Sequence, residues 1–411
     1  MTDHPAAGAR PHILVLNRWD DEFARYHEYI DHSGNLVSYV TTASARPAIH
    51  ADLACEVHVL PTLEDWAEVA ALARQLAARH GPIDRVIALS EFDLDLGASL
   101  RETLGARGPT SLATRLVRDK VAMKRAVSAA GMRVPRFSTA LDRAAVHDFA
   151  RRTGLPLILK PRTGAASHGV HRADTPEQLE TLLRSIDPGA YEVEEYVSGD
   201  IYHIDGLVAG GILQANRSAR YLNTCLDFEN GLPLGSVAVD DPHLTRELDR
   251  LTHRVLAALR LETGAYHLEV IRAEQPGPEW VFLEIGGRVG GGEIPFIWND
   301  VYGIDLVGSW IRLLLGQPAS LRMSPEVAGF AMIPEPREVP CEVVGATSLL
   351  GKLPTLYAEV LPSKGDRLDG HGGYDRISGR FRFRGPTSSA VERDVRLAME
   401  TYRLDYVPRA A

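Results

Sequence analysis

Residues 155–170 read LPLILKPRTGAASHGV and combine an apolar run, a lysine and a loop of small residues. The apolar run that ends at Lys160 predicts a buried strand. Backbone N–H groups of a small-residue loop such as 161–170 can cradle phosphate. Glycines in a turn between strands are, however, more often required by backbone geometry alone. A phosphate site at Lys160 is therefore a hypothesis that other segments have to support.

Lysine is scarce in this chain, because only five of its 45 basic residues are lysines. One of the five is Lys120, in the sequence Arg118-Asp119-Lys120, forty residues before Lys160. The apolar spacing predicts one helix over residues 112–131 that carries Lys120. A lysine offers a compact ammonium, whereas an arginine offers a planar fork. Because lysine is scarce here, a lysine carries more information than usual, and two of the five occupy these two places.

Carboxylates alternate with apolar residues in the segment 192–200, which reads EVEEYVSGD. A strand of this kind suits a pocket that binds the amine and the sugar of a nucleotide. Alternating Glu and Val is also typical of a half-exposed strand. Both interpretations remain open at this point.

Two further acids, Glu269 and Glu284, each interrupt an apolar β run. An unpaired charge in such a run is costly. Two carboxylates on adjacent strands form a site of the oxygen ligands that Mg²⁺ prefers. Arg288 follows among glycines and can contact a transferring phosphoryl group or an oxyanion. The alternative is a buried Glu–Arg ion pair.

Length and composition exclude several classes of protein. The chain has 411 residues, 45% hydrophobic and 24% charged, so we expect a globular protein of two or three domains. A net charge of −9 disfavours nucleic acid and anionic membranes as partners. Three distant cysteines and the lack of a leader or a membrane span predict a cytoplasmic protein.

The order of apolar runs predicts a mixed fold, α/β followed by α+β. Strands alternate with helices over residues 13–116, which predicts parallel βαβ units. The middle of the chain is richer in strands, and residues 325–411 form a small β-rich C-terminal section. We expect four parts, with boundaries at 1–115, 116–190, 191–325 and 326–411.

The ordered set of two lysines, small-residue loop, acidic strand and paired acids resembles the ATP-grasp superfamily of carboxylate–amine ligases. The resemblance covers about residues 91–312, and the preceding section looks like the N-terminal domain of that family. It implies a pre-ATP-grasp α/β domain at 1–115, a small lobe at 116–190 and a large lobe at 191–325. The section 326–411 is expected to pack on the large lobe.

The resemblance also implies roles for individual residues. ATP phosphates would be held by Lys120, by Lys160 and by the loop residues Gly164, Ser167, His168 and Gly169. Adenine and ribose would be bound by Glu194, by the backbone of Glu195, Tyr196 and Val197, and by Asp200. Mg²⁺, expected as two ions with Mn²⁺ as a substitute, would be bound by Glu269 and Glu284. Catalysis is assigned to Arg288, Lys160 and Glu284.

Candidate substrate residues follow from their positions alone. Glu91 lies at the carboxyl end of a predicted parallel strand, where ligands gather. His203 and Asp205 alternate on one strand face after the acidic segment, and Arg288 is a further candidate. His267 lies two residues before Glu269 and so on the same strand face; it is interpreted as a satisfied core histidine, with a role in supporting Glu269 as the alternative.

The implied reaction is ADP-forming ligation, in which a small-molecule carboxylate, expected to be an amino acid, becomes an acyl phosphate and then reacts with an amine. The alternatives are transfer to a carrier-protein thiol, carboxylation of the biotin-carboxylase or purine type, and a nucleotide-binding regulator without turnover. Gly286 stands where many members have a metal-binding Asn, so one ligand is missing or is replaced by water. A homodimer is expected from the family.

Overall fold

The N-terminal part contains four strands and three helices in the computed structural model, which describes residues 10–20, 22–274, 277–319, 321–370 and 377–409. The elements are β1 (His12–Asn17), α1 (Tyr26–Tyr29), β2 (Leu36–Thr42), β3 (Glu56–Leu60), α2 (Trp66–His80), β4 (Ile83–Ala88) and α3 (Leu94–Leu104). All pairs are parallel, in the order β3-β2-β1-β4. β1 is buried along its whole length, which explains its continuous apolar sequence.

His12 is a buried histidine at the start of β1. Its Nδ1 lies 3.0 Å from the carbonyl oxygen of Gly81, and its Nε2 lies 2.9 Å from Ser38 Oγ. Burial lowers the pKa of His12. The imidazole therefore belongs to the packing of this sheet.

The next part is a small antiparallel sheet with helices. Its elements are α4 (Ser111–Leu116), α5 (Lys120–Ala129), β5 (Phe137–Thr139), α6 (Arg143–Thr153), β6 (Leu157–Pro161), β7 (His171–Ala173), α7 (Pro176–Ser185) and β8 (Tyr191–Glu195). The strand order is β5-β8-β6-β7.

The prediction of one helix over residues 112–131 is wrong, because the chain forms two helices there, α4 and α5. Asp119 has an extended backbone and caps α5, its carboxylate accepting from the N–H groups of Val121 and Ala122. This cap satisfies amides that a helix start otherwise leaves unpaired. It also places Lys120 at the first position of α5.

An eight-stranded sheet dominates the rest of the molecule. Its elements are β9 (Gly199–Ala209), β10 (Ile212–Tyr221), α8 (Cys225–Glu229), β11 (Leu234–Ala238), α9 (Pro242–Ala258), β12 (Gly264–Ala273), β13 (Glu279–Gly286), α10 (Ile294–Asp300), α11 (Leu306–Leu314), β14 (Val327–Pro334), β16 (Leu356–Val360) and β18 (Ile377–Gly385). The order is β13-β12-β9-β10-β11-β14-β18-β16. All neighbouring strands in it are antiparallel.

The C-terminal section shares this sheet. β14, β16 and β18 extend it beyond β11, so the expected boundary at 325/326 crosses a continuous sheet. The remaining strands β15 (Cys341–Ala346), β17 (Arg367–Leu368) and β19 (Leu404–Pro408) form a three-stranded sheet, and α12 (Ser388–Thr401) lies between β18 and β19.

One apolar core joins the N-terminal sheet to the large sheet. It includes Ile13 and Val15 of β1 together with Trp310 and Ile311 of α11. The sequence pattern did not predict α10, α11, β10 or β11. The N-terminal sheet is thereby placed against the large sheet, and the carboxyl end of β4 faces the large-sheet loops.

Candidate functional site

A cavity of about 300 Å³ lies between the small sheet and the large sheet. The small-sheet side supplies Lys120, Lys160, Gly164, Ser167, His168, Glu194, Glu195, Tyr196 and Val197, and the large-sheet side supplies Ile201, Glu269, Ile271, Leu283 and Glu284. Most of the residues predicted to bind a nucleotide or a metal therefore line one cavity, although they are distributed over 165 positions from Lys120 to Glu284.

Lysines and glutamates alternate along the floor of this cavity. Lys120 Nζ lies 3.3 Å from Glu284 Oε2 and 2.9 Å from the carbonyl oxygen of Gly164. Lys160 Nζ lies 2.9 Å from Glu194 Oε1 and 3.8 Å from Glu284 Oε2. The Lys160 ammonium thus lies between two carboxylates, whereas the Lys120 ammonium lies between a carboxylate and a backbone carbonyl.

Lys124 belongs to the same group, and sequence reasoning missed it. Its ammonium is fully buried and contacts the carboxylates of Glu192 and Glu194. We call Lys120, Lys124, Lys160, Glu192, Glu194 and Glu284 the lysine–glutamate cluster. The available signal was its position one helical turn after Lys120 in a chain with five lysines.

The cluster changes the proton affinities of its members. Burial alone would raise the pKa of Glu284, but Lys120 and Lys160 lower it to about 2. Burial opposes the charge of Lys160, yet Glu194 and Glu284 raise its pKa. Burial dominates at Lys124 and lowers its pKa. Lys160 and Glu284, which face the predicted phosphate and metal positions, are therefore both charged at neutral pH.

The predicted metal carboxylates stand opposite each other on neighbouring strands. Glu269 of β12 is the register partner of Glu284 of β13, and both line the cavity. Two carboxylates side by side at a polar cavity fit Mg²⁺, which prefers oxygen ligands and water. Gly286 lies at the end of β13 and has no side-chain oxygen to add. The residues present thus fit a divalent cation held by two protein carboxylates.

The loop after β6 has a backbone that few sequences adopt. Ala166 and Ser167 have φ of 54° and 57°, and Gly169 has φ of 69°. Gly164, Ser167 and His168 line the cavity, whereas Gly169 is not among its lining residues. A Cβ at Gly169 would come within 3.1 Å of Pro161 and of the Tyr191 hydroxyl. Gly169 therefore serves close packing.

At the end of the cavity predicted to bind adenine, some of the groups expected to contact the base are already hydrogen-bonded to other residues. The N–H groups of Glu195 and Tyr196 donate to the carbonyl oxygens of Arg136 and Pro156. The Glu195 carboxylate accepts from Arg136 Nε at 2.6 Å. Those two N–H groups are consequently not free to bind a base. The Glu194 carboxylate, expected at the adenine amine, contacts Lys124 and Lys160 instead.

Asp200, predicted to bind ribose, does not line the cavity. Its side chain is 60% exposed and lies 3.9 Å from Arg220 Nη1. Its neighbour Ile201 lines the cavity, and successive residues of a strand point to opposite faces. Asp200 therefore faces away. Polar residues of the α8 segment, Thr224, Asp227 and Asn230, line the cavity without any signal in the sequence.

Glu91 is held between two arginines. Its Oε1 accepts from Arg118 Nη1 at 2.6 Å, and its Oε2 accepts from Arg288 Nε at 2.7 Å. Arg118 also donates to the carbonyl oxygen of Thr163, at the base of the small-residue loop. The predicted substrate residues Glu91 and Arg288 thus bind each other, outside the cavity lining. The anticipated Glu–Arg pair exists, with Glu91 in place of Glu284.

His203 and Asp205, expected to face substrate, are buried. His203 Nδ1 lies 2.6 Å from Asp205 Oδ2, and His267 Nδ1 lies 2.8 Å from Asp205 Oδ1. They share a strand face with the cavity residue Ile201, but Gly290 of the loop after β13 lies against Asp205, and His203 is bonded to Ser236 and stacked on Tyr221. Burial lowers the pKa of His267, but the carboxylates of Asp205 and Glu269 raise it to about 9. The expectation of substrate contact is therefore not met.

Comparisons with known proteins agree with this arrangement. No protein-family model matches the chain. By sequence, it is 22% identical over 322 residues to an L-arginine-specific L-amino acid ligase of Bacillus subtilis, covering 76% of this chain and 77% of that protein. It is also 27% identical over 231 residues to the carbamoyl phosphate synthase large chain of Rubrobacter xylanophilus, covering 53% of this chain and 21% of that protein.

Solved structures share nearly the whole fold. An L-amino acid ligase from Bacillus licheniformis matches 98% of this chain and 100% of its own at a TM-score of 0.76 and 16% identity. An N5-carboxyaminoimidazole ribonucleotide synthetase from Thermotoga maritima matches 97% of this chain and 100% of its own, at a TM-score of 0.68 and 15% identity. Among the described residues, no helix is long and apolar enough to span a membrane.

Proposed function

We propose that this chain, which has the fold of the ATP-grasp ligases, converts a small-molecule carboxylate into an acyl phosphate at the expense of ATP and passes the acyl group to an amine. The fold and the resemblance predicted from the sequence are confirmed by these likenesses. ADP and phosphate are the other products of the proposed reaction.

One observation carries the proposal. Four members of the lysine–glutamate cluster, Lys120, Lys160, Glu194 and Glu284, line one cavity between two sheets together with Glu269, which faces Glu284. Phosphoryl transfer is catalysed by positioning and charge neutralisation. Lys120 and Lys160 supply positive charge from two different elements, and the paired carboxylates supply a cation site. Burying charged groups costs free energy, and a cavity that binds only a neutral molecule would not require them.

In the proposed first step, the substrate carboxylate attacks the γ-phosphorus of ATP. Lys120 and Lys160 hold the phosphates, while the small-residue loop at 163–170 offers backbone N–H groups to them. Glu269 and Glu284 would hold Mg²⁺, which would supply positive charge to offset that of the phosphates. In the second step an amine displaces phosphate, and no covalent enzyme intermediate is required.

The substrate is proposed to be an amino acid, because two of the similar proteins are amino acid ligases. The other similar proteins include carboxylation enzymes, so carboxylation and transfer to a carrier thiol are the competing reactions. A homodimer is proposed on the family resemblance and is tested by light scattering.

The test is release of ADP and phosphate from ATP with each of the twenty amino acids, singly and in pairs, with Mg²⁺. We expect release that requires an amino acid, and a condensation product visible by mass spectrometry. Bicarbonate-dependent release would favour the carboxylation alternative. ATP binding without ADP release from any acid or amine would contradict the proposal and favour a regulatory protein.

A further inference from the structure

A hydrogen-bonded chain of side chains runs inside the large sheet and ends at the cavity. Ser236 Oγ of β11 lies 2.6 Å from His203 Nε2, and His203 Nδ1 contacts Asp205. Asp205 contacts His267 Nδ1, and His267 Nε2 lies 3.3 Å from Glu269 Oε1. We call Ser236, His203, Asp205 and His267 the histidine–aspartate chain. Its last contact is the carboxylate proposed to bind Mg²⁺.

All ring nitrogens of the histidine–aspartate chain have hydrogen-bond partners. The ligand atoms of His203, Asp205 and His267 lie within 4.8 Å of one another, as a metal site would require. However, both Nδ1 atoms are within hydrogen-bond distance of Asp205, and both Nε2 atoms contact another side chain. The arrangement is complete as a set of hydrogen bonds. It therefore orients side chains and leaves no open position for an ion.

His267 has a special place with respect to Glu269. Its Nε2 lies within hydrogen-bond distance of the Glu269 carboxylate. Both residues point to the same face of β12, since they are two positions apart. Outer partners of this kind orient metal-binding groups. His267 thus limits the directions in which the Glu269 carboxylate can point.

The same chain also contacts the loop that bears Arg288. A Cβ at Gly290 would lie 2.4 Å from Asp205 Oδ1 and 3.0 Å from His267 Nδ1. The backbone of this loop therefore rests directly on the Asp205–His267 pair, and glycine is required for that approach. Glu269 and the loop that bears Arg288 consequently contact the same pair of side chains, Asp205 and His267.

We propose that His267 and Asp205 are positioning residues, which hold the Glu269 carboxylate and the Gly290 turn in fixed relation for the binding of the divalent cation. This inference rests on the proposed function, because it concerns the cation of that reaction. His203 and Ser236 complete the chain and keep Asp205 in place. His267 acts through Glu269 and does not itself contact the nucleotide cavity.

Two substitutions at His267 separate the contact with Glu269 from the contact with Asp205. The amide nitrogen of asparagine reaches the place of Nδ1, and that of glutamine reaches the place of Nε2. His267→Asn therefore keeps a donor for Asp205 and loses the one for Glu269, whereas His267→Gln does the reverse. His12→Asn and His12→Gln are controls, because His12 is also buried and bonded at both nitrogens but lies in the N-terminal sheet.

Binding of Mn²⁺ in the presence of ADP is measured by electron paramagnetic resonance of free Mn²⁺. Binding of ADP without metal is measured by calorimetry. For His267→Asn we expect Mn²⁺ affinity about 10- to 100-fold lower than in the wild type, with ADP affinity unchanged. His267→Gln should lose less. The His12 variants should bind Mn²⁺ as the wild type does.

Three results would overturn the inference. Unchanged Mn²⁺ affinity in folded His267→Asn would do so. A larger loss in His267→Gln than in His267→Asn would assign a structural role through Asp205. Equal losses of Mn²⁺ and metal-free ADP binding would indicate a general disturbance of the site. If the wild type bound neither Mn²⁺ nor ADP, the proposed function itself would fail, which distinguishes the two failures.

Discussion

The lysine–glutamate cluster and the histidine–aspartate chain are two buried polar groups with different relations to the cavity. The cluster opens to the cavity through Lys120, Lys160, Glu194 and Glu284. The chain is closed beneath the Gly290 turn, and its ring nitrogens are all bonded. Buried charge alone therefore does not mark a substrate site. Access to the cavity separates groups that bind a ligand from groups that hold such residues in place.

The largest expected effect comes from replacing Lys124, whose side chain is the most deeply buried of the three lysines in the cluster. Lys124→Met leaves Glu192 and Glu194 with one fewer counter-charge in a buried position. Breaking a buried pair in this way costs about 3–5 kcal/mol in the free energy of unfolding. Urea unfolding measures the change.

Two companion variants test the electrostatic cause of that loss. Lys352→Met is the control, because Lys352 is exposed, and it should change the free energy by no more than about 0.5 kcal/mol. Adding Glu192→Gln to Lys124→Met should recover part of the loss. A wild-type stability in Lys124→Met would show that the cluster is not held by its charges.

The next effect concerns the proposed cation site at the open side of the cluster. Glu284→Gln removes the carboxylate that faces Glu269 and contacts Lys120. We expect ADP release to fall by about 100- to 1000-fold, since metal neutralisation of the phosphates is worth several kcal/mol. Glu279→Gln is the control on the same strand, at an exposed position bonded to Arg133. Full turnover in Glu284→Gln would remove the metal assignment.

A smaller effect is expected where charge is kept and shape is changed. Lys160→Arg retains a cation but replaces a compact ammonium by a planar fork in a tight buried site. Misplaced phosphate contacts should reduce ADP release by about 10- to 100-fold. Lys364→Arg, at an exposed position, should not differ from the wild type. Normal kinetics in Lys160→Arg would count against a direct phosphate contact.

The smallest expected effect concerns His12, a buried histidine of the N-terminal sheet that lies outside the histidine–aspartate chain. The pKa of His12 is lowered by burial, so the unfolded chain binds a proton at His12 before the folded protein does. As pH falls below about 6.5, the free energy of unfolding should therefore decrease, by at most about 1.4 kcal/mol per pH unit from this group. Urea unfolding at pH 7 and pH 5.5 measures the slope, and His12→Gln should reduce it. An identical slope in that variant would remove His12 as its source.

Local patterns predicted the parts of the site that depend on neighbouring residues in the chain. The strand ending in Lys160, the loop after it and the paired strands with Glu269 and Glu284 were all visible. Each depends on apolar periodicity, or on a charge that interrupts it. Lys124 was not visible, because its partners Glu192 and Glu194 reach it only when β8 packs against α5.

Errors arose where the face of a strand or a covering loop decided the outcome. Asp200 lies on the same strand as the cavity residue Ile201, but its side chain points to the opposite face. Asp205 points to the same face as Ile201 but packs under Gly290, and His203 is bonded to Ser236 and stacked on Tyr221. Alternation along one strand cannot tell which face becomes the cavity wall, or which loop will close over it.

The amino-acid sequence alone indicated a mixed α/β chain that resembles the ATP-grasp ligases, with two lysines and two acids in a set order. That information is local, because helices, strands and strand-end charges are set by residues close together in the chain. Tertiary packing brings Lys124 into the cluster, joins Glu91 to Arg118 and Arg288, and places His267 against Glu269. Those contacts join residues from 2 to 197 positions apart, and the distant ones depend on the packing of separate sheets.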